Sequence, residues 1–327
     1  MKVTAKERAA GQAPRLAADR VSYLTVGPES VGQRLDNFLL RLAKGVPQSH
    51  VYRIVRSGEV RVNRARAAVD QRLAEGDQVR VPPIRIAAPN PAPARGPMPP
   101  VLFEDEHLLA VDKPAGLAAH GGSGLAHGLI ERVRAARPNQ PFLELAHRLD
   151  RETSGLLILA KTRRALLALH RMLREGELDK RYLALVAGDW VNDRQHVRLA
   201  LAKRTLGSGE RRVAVDEEEG AAAHTVFNLR RRYGAFSLLE AELRTGRTHQ
   251  IRVHLAHVGF PIVGDDKYGD FELNRRVARG EFGAPLKRMF LHALSMRFAH
   301  PVGGQPMELQ SALDRECGDY LKALDRA

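Results

Sequence analysis

Eight of the chain's 18 prolines fall between Pro82 and Pro100, and no other feature restricts the fold as strongly. Each proline fixes φ and removes a backbone donor, so a segment of this make-up builds neither a helix nor a sheet ladder. It predicts a semi-extended tether, stiffer than a Gly/Ser linker. One hydrophobic core cannot run through it, and 327 residues suit about two domains. The expected divisions are a disordered basic tail over 1–20, a small domain over 21–82, the tether over 83–100 and a larger domain over 101–327.

The small domain reads as helix, helix, strand. Val21 to Val26 has strand character, and Leu35, Phe38, Leu39 and Leu42 fall at helical spacing. Val46-Pro47-Gln48-Ser49 offers a turn and a cap for a second helix, which turns Val51, Ile54 and Val55 inward and Arg53 and Arg56 outward. Gly58 ends it. Val60 to Asn63 and Gln78 to Val81 then alternate like strands, with Arg61, Arg64, Arg66 and Arg80 on or beside them. This arginine-rimmed unit resembles the S-four-type (alpha-L) RNA-binding module from about Gln33 to Val81. Arginine suits such a module because its planar fork grips phosphate with two bonds and stacks on bases. A plain small domain with a solvated basic face is the other reading of the same residues.

Charge agrees with a polyanionic partner. The net charge is +14, and residues 1–100 hold 17 Lys and Arg against 8 Asp and Glu, so +9 of it lies in the first third. Because 42 of the 52 basic residues are Arg, genomic base composition contributes to the total, and the uneven distribution carries more weight. A single cysteine, Cys317, excludes an intramolecular disulfide and a cysteine-cluster metal site. With no signal-like or membrane-length apolar run, the expected location is the cytoplasm.

Past the tether, strand-like runs recur at 181–186, 225–230, 236–243 and 290–298, with helical spacing over 163–174 and 248–258. Tyr233-Gly234-Ala235 joins two strands directly. The expected class is α+β, on a mostly antiparallel mixed sheet. Gly121-Gly122-Ser123-Gly124 lacks the Lys-Ser or Lys-Thr of a phosphate-binding loop and reads as a surface loop.

Three stretches could carry chemistry. Asp150 precedes the apolar run Leu156–Ala160 in a loop with Arg148, Arg151, Thr153 and Ser154, where a carboxylate stays ionised and oriented, or merely caps backbone amides. Tyr182 enters a strand, as a stacking face or as an ordinary core or edge residue. In Arg244–His254, Arg247 and Ile251 are four apart and expected on one helix face, where an arginine grips a carboxylate and an aliphatic residue floors a pocket. His249, His254 and His257 miss the His-Glu-x-x-His spacing and read as hydrogen-bonded or exposed rather than metal-ligating.

In this order, together with Asp112-Lys113-Pro114-Ala115-Gly116-Leu117, Tyr268-Gly269-Asp270 and Leu291-His292-Ala293, these stretches resemble the RluA/RluC-type pseudouridine synthases. The similarity covers about residues 30–315 and is nearest to members that modify large-subunit (23S) ribosomal RNA. The resemblance implies that Asp150 is the catalytic carboxylate, paired with Arg247. It also implies that Tyr182 packs on the target base, that Ile251 lies beneath it, and that Arg148 fills the gap left by the flipped nucleotide. Such an isomerisation conserves its atoms and needs no cofactor; the expected partner is ribosomal RNA or a pre-ribosomal particle, bound in part through Arg53, Arg56 and Arg61, and nothing demands more than a monomer. The rivals are a non-catalytic ribosome-assembly factor and a zinc deaminase, whose His-x-Glu and Pro-Cys-x-x-Cys signature is absent.

Overall fold

The computed structural model describes residues 16–43, 46–84, 96–121, 127–205 and 211–326. They fall into two units, one within residues 1–93 and one within 94–327. The Gly122–Gly124 part of the glycine loop, most of the tether and most of the tail lie outside the described residues.

In the first unit, β1 (Ser22–Thr25) is followed by α1 (Leu35–Leu42), α2 (Gln48–Arg56), β2 (Arg61–Val62), β3 (Ala65–Arg66) and β4 (Gln78–Val81). The strands form an antiparallel sheet in the order β1-β4-β2-β3. Phe38 and Leu39 of α1 and Val51, Ile54 and Val55 of α2 meet Val62, Val79 and Val81 in one core. Pro47 sets the entry to α2, and the expected side-chain cap is not made. Gly58, at φ +79°, turns the chain out of that helix without the Cβ penalty other residues meet there. Two expectations need correction. Leu16 packs on this core and Ala17 accepts from Ile84 N–H, so the tail does not extend to residue 20. Ile84 is itself buried and Met98 packs on the second core, so the tether is anchored at both ends. Apolar side chains override the local proline signal there.

The second unit runs β5 (Val101–Glu104), β6 (Leu108–Lys113), α3 (Leu129–Ala136), β7 (Glu144–Leu145), β8 (Ser154–Ala160), α4 (Arg163–Glu175) and β9 (Asp179–Ala187). It continues with β10 (Arg194–Arg198), β11 (Leu201–Thr205), β12 (Arg211–Val215), β13 (His224–Arg232), β14 (Phe236–Leu243) and α5 (Gln250–His257). It closes with α6 (Phe271–Ala278), β15 (Leu291–Ala299), β16 (Pro306–Gln310) and α7 (Arg315–Leu324). The main sheet has the order β10-β13-β14-β9-β15-β8-β6-β5, with β16 on β15 and β7 on β8, while β11 and β12 form a separate hairpin. Among the described residues every strand pairing is antiparallel except β8 with β15, so the class is α+β as expected.

β8 is buried along its whole length because both its faces are covered. Leu157 and Leu159 pack toward α3, while Leu156, Ile158 and Ala160 pack toward α4. This two-sided burial explains an apolar run without alternation, and it gives the turn before β8 a rigid footing.

Candidate active site

Asp150 stands on the turn that leads into β8. Lys113, the last residue of β6, is fully buried beneath that turn. Its ammonium donates to the carbonyls of Leu117 at 2.7 Å, Pro114 at 2.9 Å and Arg151 at 3.0 Å. The last of these pins the residue next to Asp150, and Thr153 N–H donates to the Asp150 carbonyl at 3.2 Å. Burial pushes Lys113 down to about 7, with Glu152 and Asp150 pulling the other way. The next residue pair is held from the β15 side. Ser154 Oγ lies 2.9 Å from His292 Nδ1 and accepts from Arg288 at 2.9 Å. Gly155 has φ +106°, and a Cβ there would sit 2.3 Å from the Ala293 carbonyl oxygen.

The Asp150 carboxylate faces two basic side chains, Arg252 Nη1 at 3.6 Å and His249 Nε2 at 3.8 Å. Arg252 is 4% exposed, and such a charge persists only if paired. Asp265 supplies the pair, accepting from Arg252 Nε at 2.7 Å and Nη2 at 2.6 Å. Asp266 accepts from Nη2 at 3.3 Å, and the Tyr268 ring lies 5.1 Å from the guanidinium carbon. Burial works against the Arg252 charge, but the Asp265 bonds outweigh it and raise the pKa above that of a free arginine. The same contacts, with backbone N–H groups of Lys267 and Tyr268, outweigh burial at Asp265 and hold its carboxyl below the ordinary range. His249 sits at φ +55°, left-handed for a residue with a Cβ, and its Nδ1 lies 2.9 Å from the Tyr268 hydroxyl. That hydroxyl accepts from Val213 N–H at 3.0 Å. Burial lowers the imidazole pKa and Asp150 opposes it.

Arg148, Asp150, Tyr182, Arg247 and Ile251 line one cavity of about 110 Å³, with His249 and Arg252. That is several times the ~30 Å³ share of one water, enough for a single flat ring. Tyr182 and Ile251 are buried, at 7% and 5% exposed. Burial raises the Tyr182 phenol, and Asp150 adds to the shift, so its contribution is a neutral aromatic surface rather than an acid. Arg148 is exposed at the rim. Arg53, Arg56 and Arg61 belong to the first unit and are also exposed. Arg56 lies over the Tyr52 ring, and Arg61 donates to the Arg64 carbonyl.

One expectation is corrected. Arg247 does not pair with Asp150. It is exposed, and its Nε donates to the Ala222 carbonyl at 3.2 Å. The helix begins at Gln250 rather than Thr248, so Arg247 and Ile251 share no helix face. Gln250 Oε1 accepts from Arg247 N–H at 3.0 Å and Thr245 Oγ1 at 2.7 Å, holding the preceding loop outside the helix. Arg252 takes the position beside Asp150. Gln250 to Leu255 are all buried, so an arginine among them requires a carboxylate elsewhere, but that burial is a product of the fold. Asp265, some distance along the chain, could not be matched to it without the fold.

The three histidines do not converge. His249 meets Tyr268, His254 is buried against Thr225 Oγ1 and the Leu199 carbonyl, and His257 is exposed. Among the described residues no helix is long and apolar enough to cross a membrane.

Sequence and fold were also compared with known proteins. The RNA pseudouridylate synthase family profile matches residues 107–257, and the S4 domain profile matches residues 33–79. The chain is 46% identical to ribosomal large subunit pseudouridine synthase C of Haemophilus influenzae over 320 residues, covering 96% of this chain and 98% of that protein. It is 45% identical to the protein of the same name from Escherichia coli strain K12 over 314 residues, covering 94% and 98%. Among solved structures, human RNA pseudouridylate synthase domain containing 4 shares the fold, with TM-score 0.57 at 22% identity over 69% of this chain and 92% of that one.

Proposed function

This chain belongs to the RNA pseudouridylate synthase family and carries an S4 domain, and from that premise we propose that it isomerises specific uridines of large-subunit ribosomal RNA to pseudouridine, with Asp150 as the catalytic carboxylate. The observation that carries the reading is a carboxylate fixed between Arg252 and His249 at the edge of a cavity floored by Tyr182 and Ile251.

The reaction breaks the bond from ribose C1′ to ring N1, turns the uracil, joins C5 to C1′, and returns the C5 proton to N1 through solvent. Atoms and electrons balance without an external oxidant or reductant. A base inside a helix is out of reach, so the uridine must first be flipped, at a cost of a few kcal/mol. Arg148, exposed at the rim, fills the vacated stack. Tyr182 and Ile251 hold the freed uracil between two apolar surfaces while it turns. Asp150 either attacks C1′ or removes the neighbouring 2′ proton to give a glycal. Both routes use the Asp150 carboxylate, which faces Arg252 Nη1 and His249 Nε2. In the S4 unit, exposed Arg53, Arg56 and Arg61 grip backbone phosphates. We place the protein in the cytoplasm as a monomer, acting on ribosomal RNA or an assembling subunit.

The test is release of tritium from carbon 5 of labelled uridine in large-subunit ribosomal RNA. Wild type should release it and Asp150→Asn should not, while binding the RNA nearly as well. Residual turnover by the variant would remove Asp150 from its role. Binding without release by both proteins, on free and pre-ribosomal RNA alike, would favour the assembly-factor reading.

A further inference from the structure

Three cations are buried among the described residues: Lys113, Lys180 and Arg252. Lys113 has three carbonyl acceptors, and Arg252 has the carboxylates of Asp265 and Asp266. Lys180 is 8% exposed, and no described residue accepts a hydrogen bond from it or forms an ion pair with it. Its side chain is buried but lines a groove, and burial lowers its pKa with no counter-charge to oppose it, so an anion seated in that groove would favour its charged form.

The surroundings specify that anion. Lys180 lies two residues before Tyr182 on β9, and alternation along the strand puts both side chains on the same face of the sheet. It opens into a groove of about 550 Å³ that adjoins the smaller cavity and shares Arg148, Tyr182 and Arg247 with it. The charged lining consists of Arg148, Arg174, Lys180, Arg244 and Arg247, with no carboxylate. Carboxylates nearby are engaged elsewhere, since Arg171 takes Glu175 and Glu177, and Glu242 is shared by Arg181, Arg194 and Arg244. Arg148 and Arg174 are exposed and form no ion pair among the described residues. His147, also in the groove, is pushed down to about 4 by burial and then by the Lys180 charge, so it adds no further positive charge.

We propose that Lys180, with Arg174 and Arg148, forms a phosphodiester site that clamps the RNA backbone immediately beside the flipped uridine. This rests on reading the Asp150 cavity as the uridine site, and it identifies which side of that cavity the flanking strand occupies. The buried ammonium supplies a fixed point charge, and the exposed guanidiniums close over the phosphate from the groove edge.

The experiment measures binding of the full-length protein to a large-subunit ribosomal RNA transcript across a salt series, alongside single-turnover tritium release. Lys180→Met should bind several-fold more weakly and show a slope of log affinity against log salt shallower by about 0.7–0.9, the value for one lost phosphate contact. Its rate at saturating RNA should stay within about threefold of wild type, and Lys180→Arg should restore the slope. Its thermal midpoint should not fall, because Lys180 makes no hydrogen bond or ion pair among the described residues that methionine would lose. Arg174→Ala, an exposed change, should also flatten the slope, and it decides the matter if Lys180→Met fails to fold. Wild-type slopes in both variants would overturn the proposal. So would a Lys180→Met that binds normally but turns over slowly, since that would place Lys180 in the chemistry. Failure of the uridine-site reading would show separately, as tritium release retained by Asp150→Asn, while the salt slopes are read without turnover.

Discussion

Of its three carboxylate neighbours, Arg252 serves the buried Asp265 and the more exposed Asp150 differently, and its substitutions should separate the two services. Arg252→Gln leaves Asp265 without its partner in a site where the Asp265 side chain is 0% exposed, and the expected destabilisation is about 3–5 kcal/mol. Arg252→Lys keeps a charge but loses the fork, and a misplaced Asp150 should cost roughly 100-fold in turnover with milder unfolding. Arg247→Ala removes one bond to a carbonyl, and its turnover should fall by less than about tenfold. A larger loss for Arg247→Ala than for Arg252→Lys, by tritium release, would restore Arg247 as the partner of Asp150. Histidine gives a pH signature. Burial holds His254 and His147 at about 4 against an ordinary 6.5. Between those values the unfolded chain binds more protons than the folded one. Stability is therefore fully present above 6.5 and is lost as pH falls toward 4. His254→Gln should make denaturation midpoints less steep in pH over that window, and an unchanged steepness would contradict a neutral His254.

At the level of elements, the decisive junction is β8 against β15, the one parallel pairing in the sheet. Antiparallel neighbours could have been joined by hairpins. A parallel pair brings together residues from distant segments, here Ser154–Gly155 with His292–Ala293. Gly155 allows the close approach, and its positive φ starts the strand immediately after the Asp150 turn. Gly155→Ala would force its Cβ onto the Ala293 backbone, which cannot yield as a side chain would. The expected loss is about 3 kcal/mol, seen as a lower thermal midpoint with reduced turnover. Wild-type stability would mean that the two strands separate at little cost. Lys113 steadies the other end of the same turn, so Asp150 is fixed by β6, β8 and β15 together.

For the molecule as a whole, the proposals give the first unit RNA grip alone and the second unit both grip and chemistry. Replacing Arg53, Arg56 and Arg61 together by Ala should weaken binding to large-subunit ribosomal RNA and flatten its salt slope by up to about 2–3, leaving the rate at saturating RNA nearly intact. A slope unchanged from wild type would remove the first unit from RNA binding. The division itself was legible in the sequence, because eight prolines within 82–100 leave little room for a helix or a sheet ladder. So were β14 and α4, whose periodicities are local properties. Asp150, Tyr182, Ile251 and Arg148 could be singled out one by one, since each sits in a short, distinctive run. What the chain alone could not express was pairing. Arg247 and Arg252 are both arginines near the start of one helix, and only the left-handed turn at His249 decides which of them enters it. Asp265 meets Arg252 across a loop, and Lys180 is without a partner only once the surrounding carboxylates have found theirs. Helical and strand periods follow from neighbours along the backbone, and so are written in the sequence. The match of a buried charge to its counter-charge depends on distances between segments, and those were decided by the tertiary structure.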